Sequence, residues 1–340
     1  MAPAILTVLA FLLDKLIGDP QSWPHPVRWI GKLIDLLELL LRRLLAAVKA
    51  EGPGPALLAG GALYLLTVGV SAGAVEAALL LSYRHVQVSG VRILWLLVTL
   101  YLVFTSICLN DLLRHTARVE AHLSAGDLEG ARKALSWIVG RDTAGLDAAA
   151  VRRAEIETLA ENFSDGLAAP LFYLSLGGPL LAWIYKATNT LDSMVGYRNE
   201  KYLYLGRASA RMDDALNFLP SRLAAFLLVT AAWLGGGDAR GACRRWRREG
   251  RFHTSPNSGQ TEAAMAGALG VFLGGPSVYG GRLVAKPTLG EGGRVAEASD
   301  VRKAERLVSL ATLLSLLLCL GIQAVLWLTL NSHAGWGVLR

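Results

Sequence analysis

The sequence is short of charged residues, which make up 18% of its 340 positions against 53% hydrophobic residues. A mean hydropathy of +0.40 argues against an ordinary soluble enzyme and predicts a polytopic membrane protein. Its three cysteines, Cys108, Cys243 and Cys319, show neither paired nor metal-binding spacing, so we predict no disulfide framework and no cysteine metal site. The sequence also lacks a Gly-x4-Gly-Lys-[Ser/Thr] stretch and any Ser-His-Asp or Cys-His pattern, which excludes a P-loop and the familiar nucleophile arrangements.

Long apolar runs predict the membrane spans, since a span needs about 20 predominantly apolar residues. The candidates are Ala56–Leu81, Ile93–Leu109, Phe218–Gly236 and Leu307–Leu330. The shorter run Ala4–Ile17 has no basic start and no small-residue cleavage site, so it does not resemble a signal peptide and we expect it in the mature protein. The fold class predicted from these runs is an all-α, polytopic integral membrane protein without a β-sheet.

Two segments outside the spans are predicted to be helical as well. Trp29 to Lys49 alternates apolar and basic residues at helical spacing, which indicates an amphipathic helix on the membrane surface. Residues 110–166 form a largely soluble helical segment whose basic residues predict a cytoplasmic location. We expect the whole chain, 1–340, to form one integrated domain.

The apolar run Leu167–Ala187 does not fit a straight span, because Pro170 and the Gly177-Gly178-Pro179 cluster interrupt it. Non-helical backbone at membrane depth has to be buried in protein or line a wet cavity. We therefore predict a broken or re-entrant helical element. A re-entrant element would bring the polar stretches 157–166 and 188–197 to the same face of the membrane.

Three carboxylates, those of Glu157, Glu161 and Asp165, stand four residues apart just before this run. On an α-helix they share one stripe, where their charges repel. Mg²⁺ takes hard oxygen ligands and is usually held by one or two carboxylates while substrate phosphates complete its shell. The row therefore predicts a Mg²⁺ site, and the alternative is a solvated acidic face paired with Arg152 and Arg153.

Acidic and amide side chains also flank the later apolar runs. Asp192 follows the broken run in Thr188–Ser193, and Asp214 precedes a span in Arg211–Asn217. Such groups at membrane entrances need partners, and each aspartate suits a helix cap or a buried ion pair as well as a functional site. Two Asp-containing stretches are also typical of membrane prenyltransferases that bind Mg²⁺ diphosphates, which is one alternative function.

Three further stretches suit anions or ligands. Ser255–Gly259 opens a helix whose free N–H groups favour a phosphate, although an ordinary N-cap by Asn257 or Ser258 explains it too. Two prolines fix the backbone around His25, which suits a ligand contact or a plain turn. The basic run Arg244–Arg248 predicts an interfacial anchor, so we expect no nucleic-acid partner.

Five blocks in one order carry a family resemblance: GDPQSWPHPVR, AEIETLAENFSDGLAAPLFY, NTLDSMVGYRNEKY, ARMDDALNFLPSRLAA and SPNSGQTEAAMAGALGVFLGGPSVYGG. From about Leu13 to the last span the chain resembles the CobD/CbiB family of cobalamin biosynthesis, the adenosylcobinamide-phosphate synthases. The resemblance implies a membrane amide ligase that joins adenosylcobyric acid to aminopropanol phosphate, or a related amino alcohol, with ATP and Mg²⁺. Its partners would be the corrinoid, the amino alcohol phosphate and the lipid bilayer, and a homo-oligomer is compatible with the sequence.

Within these blocks we expect catalytic roles for Asp192, Asp214 and Glu262, and Mg²⁺ ligation by Glu157, Glu161 and Asp165. Contacts to substrates or phosphates are expected from a larger polar set: His25, Arg28, Asn162, Asn189, Lys201, Arg207, Asn217, Arg222, Asn257 and Ser258. The protein would be a multi-pass protein of the inner cell membrane, with its active site at the cytoplasmic face. The alternatives are a Mg²⁺-dependent prenyl or phosphoalcohol transferase and a non-enzymatic membrane transporter or regulator of the same superfamily.

Overall fold

The structure is a computed structural model that describes residues 2–20, 22–84 and 92–332, and these residues are mostly α-helical. The helices are α1 Ala2–Ile17, α2 Pro26–Ala47, α3 Pro53–Arg84, α4 Ile93–Phe104, α5 Leu109–Ser124, α6 Leu128–Leu135, α7 Ala148–Asn162, α8 Ala169–Val195, α9 Arg207–Leu234, α10 Ala239–Glu249, α11 Ser258–Leu269 and α12 Ala298–Ser332. A π-helical turn, Phe163–Ala168, joins α7 to α8. The all-α prediction is confirmed.

Within the part of the chain that the structure describes, five helical segments are long and apolar enough to cross a membrane, which makes the chain a multi-pass membrane protein. They are Pro53–Arg84, Ile93–Ser124, Ala148–Val195, Arg207–Leu234 and Ala298–Thr329. Each of the four spans predicted from apolar runs falls largely within one of these segments, and the run Ile93–Leu109 includes the break between α4 and α5. The interrupted run Leu167–Ala187 lies in the remaining segment, Ala148–Val195, and the short first run forms α1.

The predicted break in the helical run occurs inside α8. Gly177 and Gly178 leave helical geometry, with φ/ψ of −145/24° and 65/−159°. The second pair of angles is open essentially to glycine alone, since a Cβ would clash there. Pro179 then restarts the helix, because its fixed φ suits a first helical position. The break follows from three consecutive residues of the sequence.

The amphipathic segment predicted at Trp29–Lys49 forms α2. His25 is its N-cap and accepts the Val27 N–H through Nδ1 at 3.2 Å, while Pro26 occupies the first turn. The helix buries Ile30 and Ile34 and leaves most of its other side chains partly or fully exposed. Its helical and amphipathic character is confirmed, and its position at a membrane surface stays a prediction.

The chain divides into two compact units. Unit 1 contains the described residues of 1–107, 170–216 and 318–340, and unit 2 contains 108–169 and 217–317. The core of unit 1 includes Leu63 and Trp183, whose indole N–H donates to the Leu102 carbonyl at 2.9 Å. In unit 2 one core joins α5, α6 and α7 through Val119, Leu135 and Val151. The expectation of one integrated domain over 1–340 stays a prediction.

The expectation of no sheet is wrong for one short segment of unit 2. Leu273–Gly274 (β1) pairs with Thr288–Leu289 (β4), and Ser277–Tyr279 (β2) pairs with Arg282–Val284 (β3), both antiparallel. Gly280 and Gly281 form the β2–β3 turn with φ of 55° and 75°, which suits the tight two-residue hairpin turns that favour Gly-Gly. The sequence signal was the Gly-Gly pair between two short β-prone runs.

Helices α10 and α11 approach each other closely at Gly241 and Gly267. Replacing Gly267 with alanine is expected to cost about 1–3 kcal/mol of stability. The added Cβ would lie 2.6 Å from the Gly241 carbonyl carbon and 2.8 Å from the Ala242 Cα, both of which are backbone atoms. Thermal unfolding in detergent measures the loss.

The matched control for that variant is Gly73→Ala in α3, where an added Cβ meets no atom within 4 Å. This control should be neutral or slightly stabilising, because alanine favours a helix more than glycine does. Equal unfolding temperatures for the two variants would contradict the close approach of α10 and α11.

Candidate functional site

Helix α7 carries the first two carboxylates of the acidic row into unit 2. Asp147 caps its start by accepting the Ala150 N–H at 2.7 Å, and the helix then runs to Asn162. Asp165 lies beyond it, in the π-helical turn, where backbone bonds run from i to i+5. Glu157 and Glu161 therefore have the predicted α-helical spacing, whereas the π-helical turn changes the spacing between Glu161 and Asp165.

Glu157 is buried in a polar network instead of facing solvent. One carboxylate oxygen pairs with the Arg141 guanidinium, and the other accepts the Gly274 N–H at 2.6 Å. Arg153 lies 3.9 Å from the same carboxylate. Burial works to lower the pKa of Arg141, but the charge and hydrogen bond of Glu157 outweigh it and hold that pKa above its ordinary value.

Glu161 stands one turn further along α7 and is exposed. Its Oε1 accepts a hydrogen bond from Ser258 Oγ at 3.2 Å, which connects it to the start of α11. The cap of α11 is supplied by Ser255, whose Oγ accepts the N–H groups of Asn257 and Ser258 at 3.3 and 3.2 Å. These two amides of the predicted phosphate turn are thus already engaged, and Asn257 makes no side-chain cap bond.

Glu262 lies near the start of α11, buried among charged groups. Its carboxylate is 3.8 Å from His253 Nε2, and both side chains are almost fully buried. Burial, together with the charges of Glu157 and Glu161, raises the pKa of Glu262 well above its usual range. Burial and the Lys286 charge lower the pKa of His253, whose Nδ1 accepts the Ser255 N–H at 3.1 Å.

The glycine-rich segment 270–294 supplies further groups to this cluster. Lys286, which follows β3, donates to the Tyr279 hydroxyl and acts electrostatically on both Glu262 and His253. Asp142 ties the β2–β3 turn to the loop before α7, because its carboxylate accepts the N–H groups of Gly280 and Gly281. Arg141, the neighbour of Asp142, donates to the Ser277 hydroxyl of β2 at 3.4 Å.

The carboxylates of this cluster suit a Mg²⁺ ion that takes one or two protein ligands and completes its coordination with phosphate oxygens. Among the residues that the structure describes, no three acidic, histidine or cysteine side chains are gathered into a group that could hold a metal ion. Mg²⁺ usually needs only one or two protein carboxylates when phosphates complete its shell. Glu161 is the accessible carboxylate here, whereas a metal at Glu157 would have to displace Arg141.

The other predicted residues of unit 2 lie on neighbouring helices. Asn257 Oδ1 accepts hydrogen bonds from Ser221 Oγ and from Arg222 at 3.2 and 3.3 Å. Asn217 is fully buried near the start of the unit-2 part of α9. Asn162 donates its side-chain amide to the Thr158 carbonyl at 3.0 Å, which ties it to its own helix.

Unit 1 contains a separate set of predicted residues at the end of α8 and the start of α9. Asn189 donates to the Asp213 carboxylate at 3.2 Å, and Asp214 interacts electrostatically with Arg198. Asp192 is half-buried in the last turns of α8, and Arg207 is exposed at the start of α9. The sequence predicted that these polar groups need partners, and for Asn189 that partner is Asp213.

Lys201 is engaged by protein groups in unit 1. Its ammonium lies 3.1 Å from the Glu38 carboxylate and bonds the Tyr202 hydroxyl, while Arg42 pairs with the same Glu38 at 2.7 Å. Burial works to raise the pKa of Glu38, but the hydrogen bonds from Arg42 and Lys201 outweigh it and lower that pKa.

The Glu38 cluster predicts a pH-dependent stability. A folded-state pKa below 4.5 means that Glu38 stabilises the protein fully above about pH 4.5 and loses this contribution as the pH falls through the folded pKa. Glu38→Gln should therefore unfold at a lower temperature than wild type at pH 7, with the difference shrinking as the pH falls below 4.5. A difference in unfolding temperature that stays constant across this pH range would contradict the lowered pKa of Glu38. The control is Asp35→Asn, which removes a neighbouring carboxylate of α2 that has no resolved ion pair.

The two predicted residues near the chain start also have partners. His25 Nε2 lies 3.4 Å from the Asp19 carboxylate, with its Nδ1 capping α2. Arg28 donates to the Trp23 carbonyl. These contacts support the structural turn that the sequence offered as an alternative, and they leave a ligand role untested.

Sequence reasoning missed Arg141, His253 and Lys286, which surround the buried carboxylates. Arg141 and Lys286 lie in loop segments without a motif, and only folding brings them to α7 and α11. His253 had one usable signal, since it stands two residues before the Ser255–Gly259 block that was recognised.

Comparison with known proteins gives one consistent result. The family model described as "CobD/Cbib protein" matches residues 7–308. A cobalamin biosynthesis protein CobD of Geobacter metallireducens is 48% identical over 95% of this chain and 98% of the relative. A CobD of Klebsiella pneumoniae is 44% identical over 93% of this chain and 96% of its own length, and a CbiB of Salmonella typhi is 45% identical over 91% and 94%. No solved structure matches the chain.

Proposed function

The chain belongs to the CobD/CbiB family of cobalamin biosynthesis proteins, and from that premise we propose that it is an ATP-dependent amide ligase of the membrane. The proposed reaction joins a propionate carboxylate of adenosylcobyric acid to the amine of aminopropanol phosphate, or of a related amino alcohol. The product is adenosylcobinamide phosphate. We further propose the inner cell membrane as its location, with the reaction at the cytoplasmic face where ATP is available.

The observation that carries the proposal is the buried charge cluster of unit 2. Carboxylates on α7 and α11 lie among the cationic groups of Arg141 and Lys286, next to the capped start of α11. Such a mixed set suits substrates that bring phosphate and ammonium groups together. A prenyltransferase would instead handle a lipid diphosphate without consuming ATP.

The proposed reaction proceeds in two balanced steps. A propionate oxygen attacks the γ-phosphorus of ATP, the bond from that phosphorus to the β–γ bridging oxygen breaks, and ADP leaves. The resulting acyl phosphate is attacked by the free amine, the bond from the acyl carbon to the phosphate oxygen breaks, and inorganic phosphate departs. The substrate ammonium gives up one proton to become the free amine before the attack, and the nitrogen gives up a second proton to a base as the amide forms, so that the neutral amide keeps one N–H.

The residues of unit 2 would divide this work. Arg141 and Lys286 would neutralise phosphate oxygens, and Glu262 would accept a proton from the amine, a role that its raised pKa suits. Glu161, with Asp165 or Glu157, would hold Mg²⁺, which would supply charge neutralisation at the phosphates when bound. Asn257 and Ser258 would orient a phosphate at the start of α11, where their N–H groups would have to exchange the Ser255 hydroxyl for it.

The predicted residues of unit 1 keep their proposed roles. Asp192 and Asp214 are proposed as further ligands or as the base that accepts the ammonium proton. Further substrate or phosphate contacts are proposed for the remaining polar residues: His25, Arg28, Asn162, Asn189, Lys201, Arg207, Asn217 and Arg222. For Lys201 such a contact would have to replace Glu38 and Tyr202.

Trapping the acyl phosphate tests the proposed chemistry. Purified protein given adenosylcobyric acid, ATP, Mg²⁺ and hydroxylamine, without any amino alcohol, is expected to form a corrinoid hydroxamate and ADP. The same mixture without ATP is the control. Amide product in the complete reaction but no hydroxamate would exclude a released or trappable acyl phosphate, while turnover of a prenyl diphosphate without ATP would support the rival transferase.

A further inference from the structure

Helix α10 presents a row of arginines on one exposed face. Arg240, Arg244, Arg247 and Arg248 are all exposed, and their spacing of four, three and one residues places them on one side of the helix. Arg251 is exposed just beyond the end of the helix. The acidic residue of α10, Glu249, is buried and does not neutralise this row.

The opposite face of α10 is fixed against the rest of unit 2. Ala242 and Glu249 are buried, and the Glu249 carboxylate accepts the Gly290 N–H while pairing with Arg245. The backbone contact between Gly241 and Gly267 holds the helix against α11. Because these contacts occupy the opposite face of α10, the arginine row faces outward.

The position of α10 along the chain places this row next to a membrane span. Only residues 235–238 separate α10 from the end of α9, a helix long and apolar enough to cross a membrane. The last turn of α9 exposes Trp233 and Leu234. A tryptophan at the end of a span favours the depth of the lipid headgroups, and a basic helix that follows within one turn lies close to the same depth.

We propose that this arginine row binds the headgroups of anionic phospholipids. Clusters of four or more basic residues beside a membrane span are attracted to negatively charged lipids, and a fixed guanidinium row can bond several phosphates at once. The row belongs to unit 2, so the interaction would place that unit's charge cluster at the anionic leaflet. This role is independent of the ligase reaction.

Competition between lipids in nanodiscs tests the proposal with the full-length protein. Wild type in nanodiscs of mixed phosphatidylcholine and phosphatidylglycerol is expected to retain phosphatidylglycerol preferentially on release into the mass spectrometer. The fourfold variant R240Q/R244Q/R247Q/R248Q should reduce this preference on the order of 100-fold or more. The wild-type preference should also weaken as ionic strength rises, because exposed charges are screened.

A charge-matched comparison uses the double variant R244Q/R248Q, and its control removes two positive charges from exposed positions outside the membrane-crossing segments, K133Q/R282Q. The control variant should keep most of the wild-type lipid preference, and the thermal unfolding of both variants confirms that they are folded. Equal phosphatidylglycerol preference in the α10 variant and wild type would overturn the proposal. Binding of an RNA or an acidic peptide by wild type, without any lipid preference, would overturn it as well.

Discussion

Replacing Arg141 with methionine is expected to destabilise the protein by about 3–5 kcal/mol and to remove activity. The substitution leaves the Glu157 carboxylate buried with only the Gly274 N–H and the more distant Arg153 to compensate its charge. Removing one partner of a buried ion pair typically lowers the free energy of unfolding by about 3–5 kcal/mol, because the remaining charge is left uncompensated. Thermal or denaturant unfolding in detergent, with turnover measured in parallel, gives both effects.

A double-mutant cycle separates the structural role of Arg141 from its proposed role toward phosphate. Arg141→Met with Glu157→Met replaces both charges by apolar side chains, so it should recover much of the lost stability while turnover stays absent. Arg244→Met, at an exposed position, is the matched control and should leave unfolding unchanged within about 0.5 kcal/mol. Recovery of turnover in the double variant would show that the pair only supports the fold.

Asp165→Asn is expected to abolish turnover while the protein stays folded in the membrane. The change is nearly isosteric and removes one charge from the π-helical turn that follows α7. Loss of a group that organises charge at the reacting phosphates typically costs 10²–10³-fold or more in rate. Turnover as a function of Mg²⁺ concentration, together with thermal unfolding, measures the effect.

Glu161→Gln provides the comparison for Asp165, because Glu161 is the exposed carboxylate of the row. If Asp165 and Glu161 both bind one metal ion, each variant should have a lower turnover rate. The residual turnover of Glu161→Gln should then require a higher Mg²⁺ concentration than that of wild type. Full activity in Asp165→Asn would remove Asp165 from the metal site. Full activity in both variants would place the metal elsewhere.

The helical framework could be predicted because its signals are local. Apolar runs specify the spans, and Gly177-Gly178-Pro179 specifies the break in α8 through angles that glycine alone adopts easily. His25 before Pro26 likewise marks the start of α2. The short β2–β3 hairpin was missed although its Gly-Gly turn was visible, because an apolar helical pattern dominated the interpretation of the whole chain.

The candidate site could be predicted only in part, because its charge pairs join distant segments. The acidic row was visible in the sequence, but its pairing with Gly274, 117 residues further on, is set by folding. The same holds for Glu38 and Tyr202, which lie 164 residues apart. The π-helical turn also changes the spacing after α7, and no simple residue pattern announces it.

The most direct measurement is product formation by the purified protein in detergent, given adenosylcobyric acid, aminopropanol phosphate, ATP and Mg²⁺. We predict adenosylcobinamide phosphate together with one ADP per amide, and no product when any single component is omitted. A folded preparation that binds the corrinoid but forms no amide under these conditions would contradict the ligase assignment.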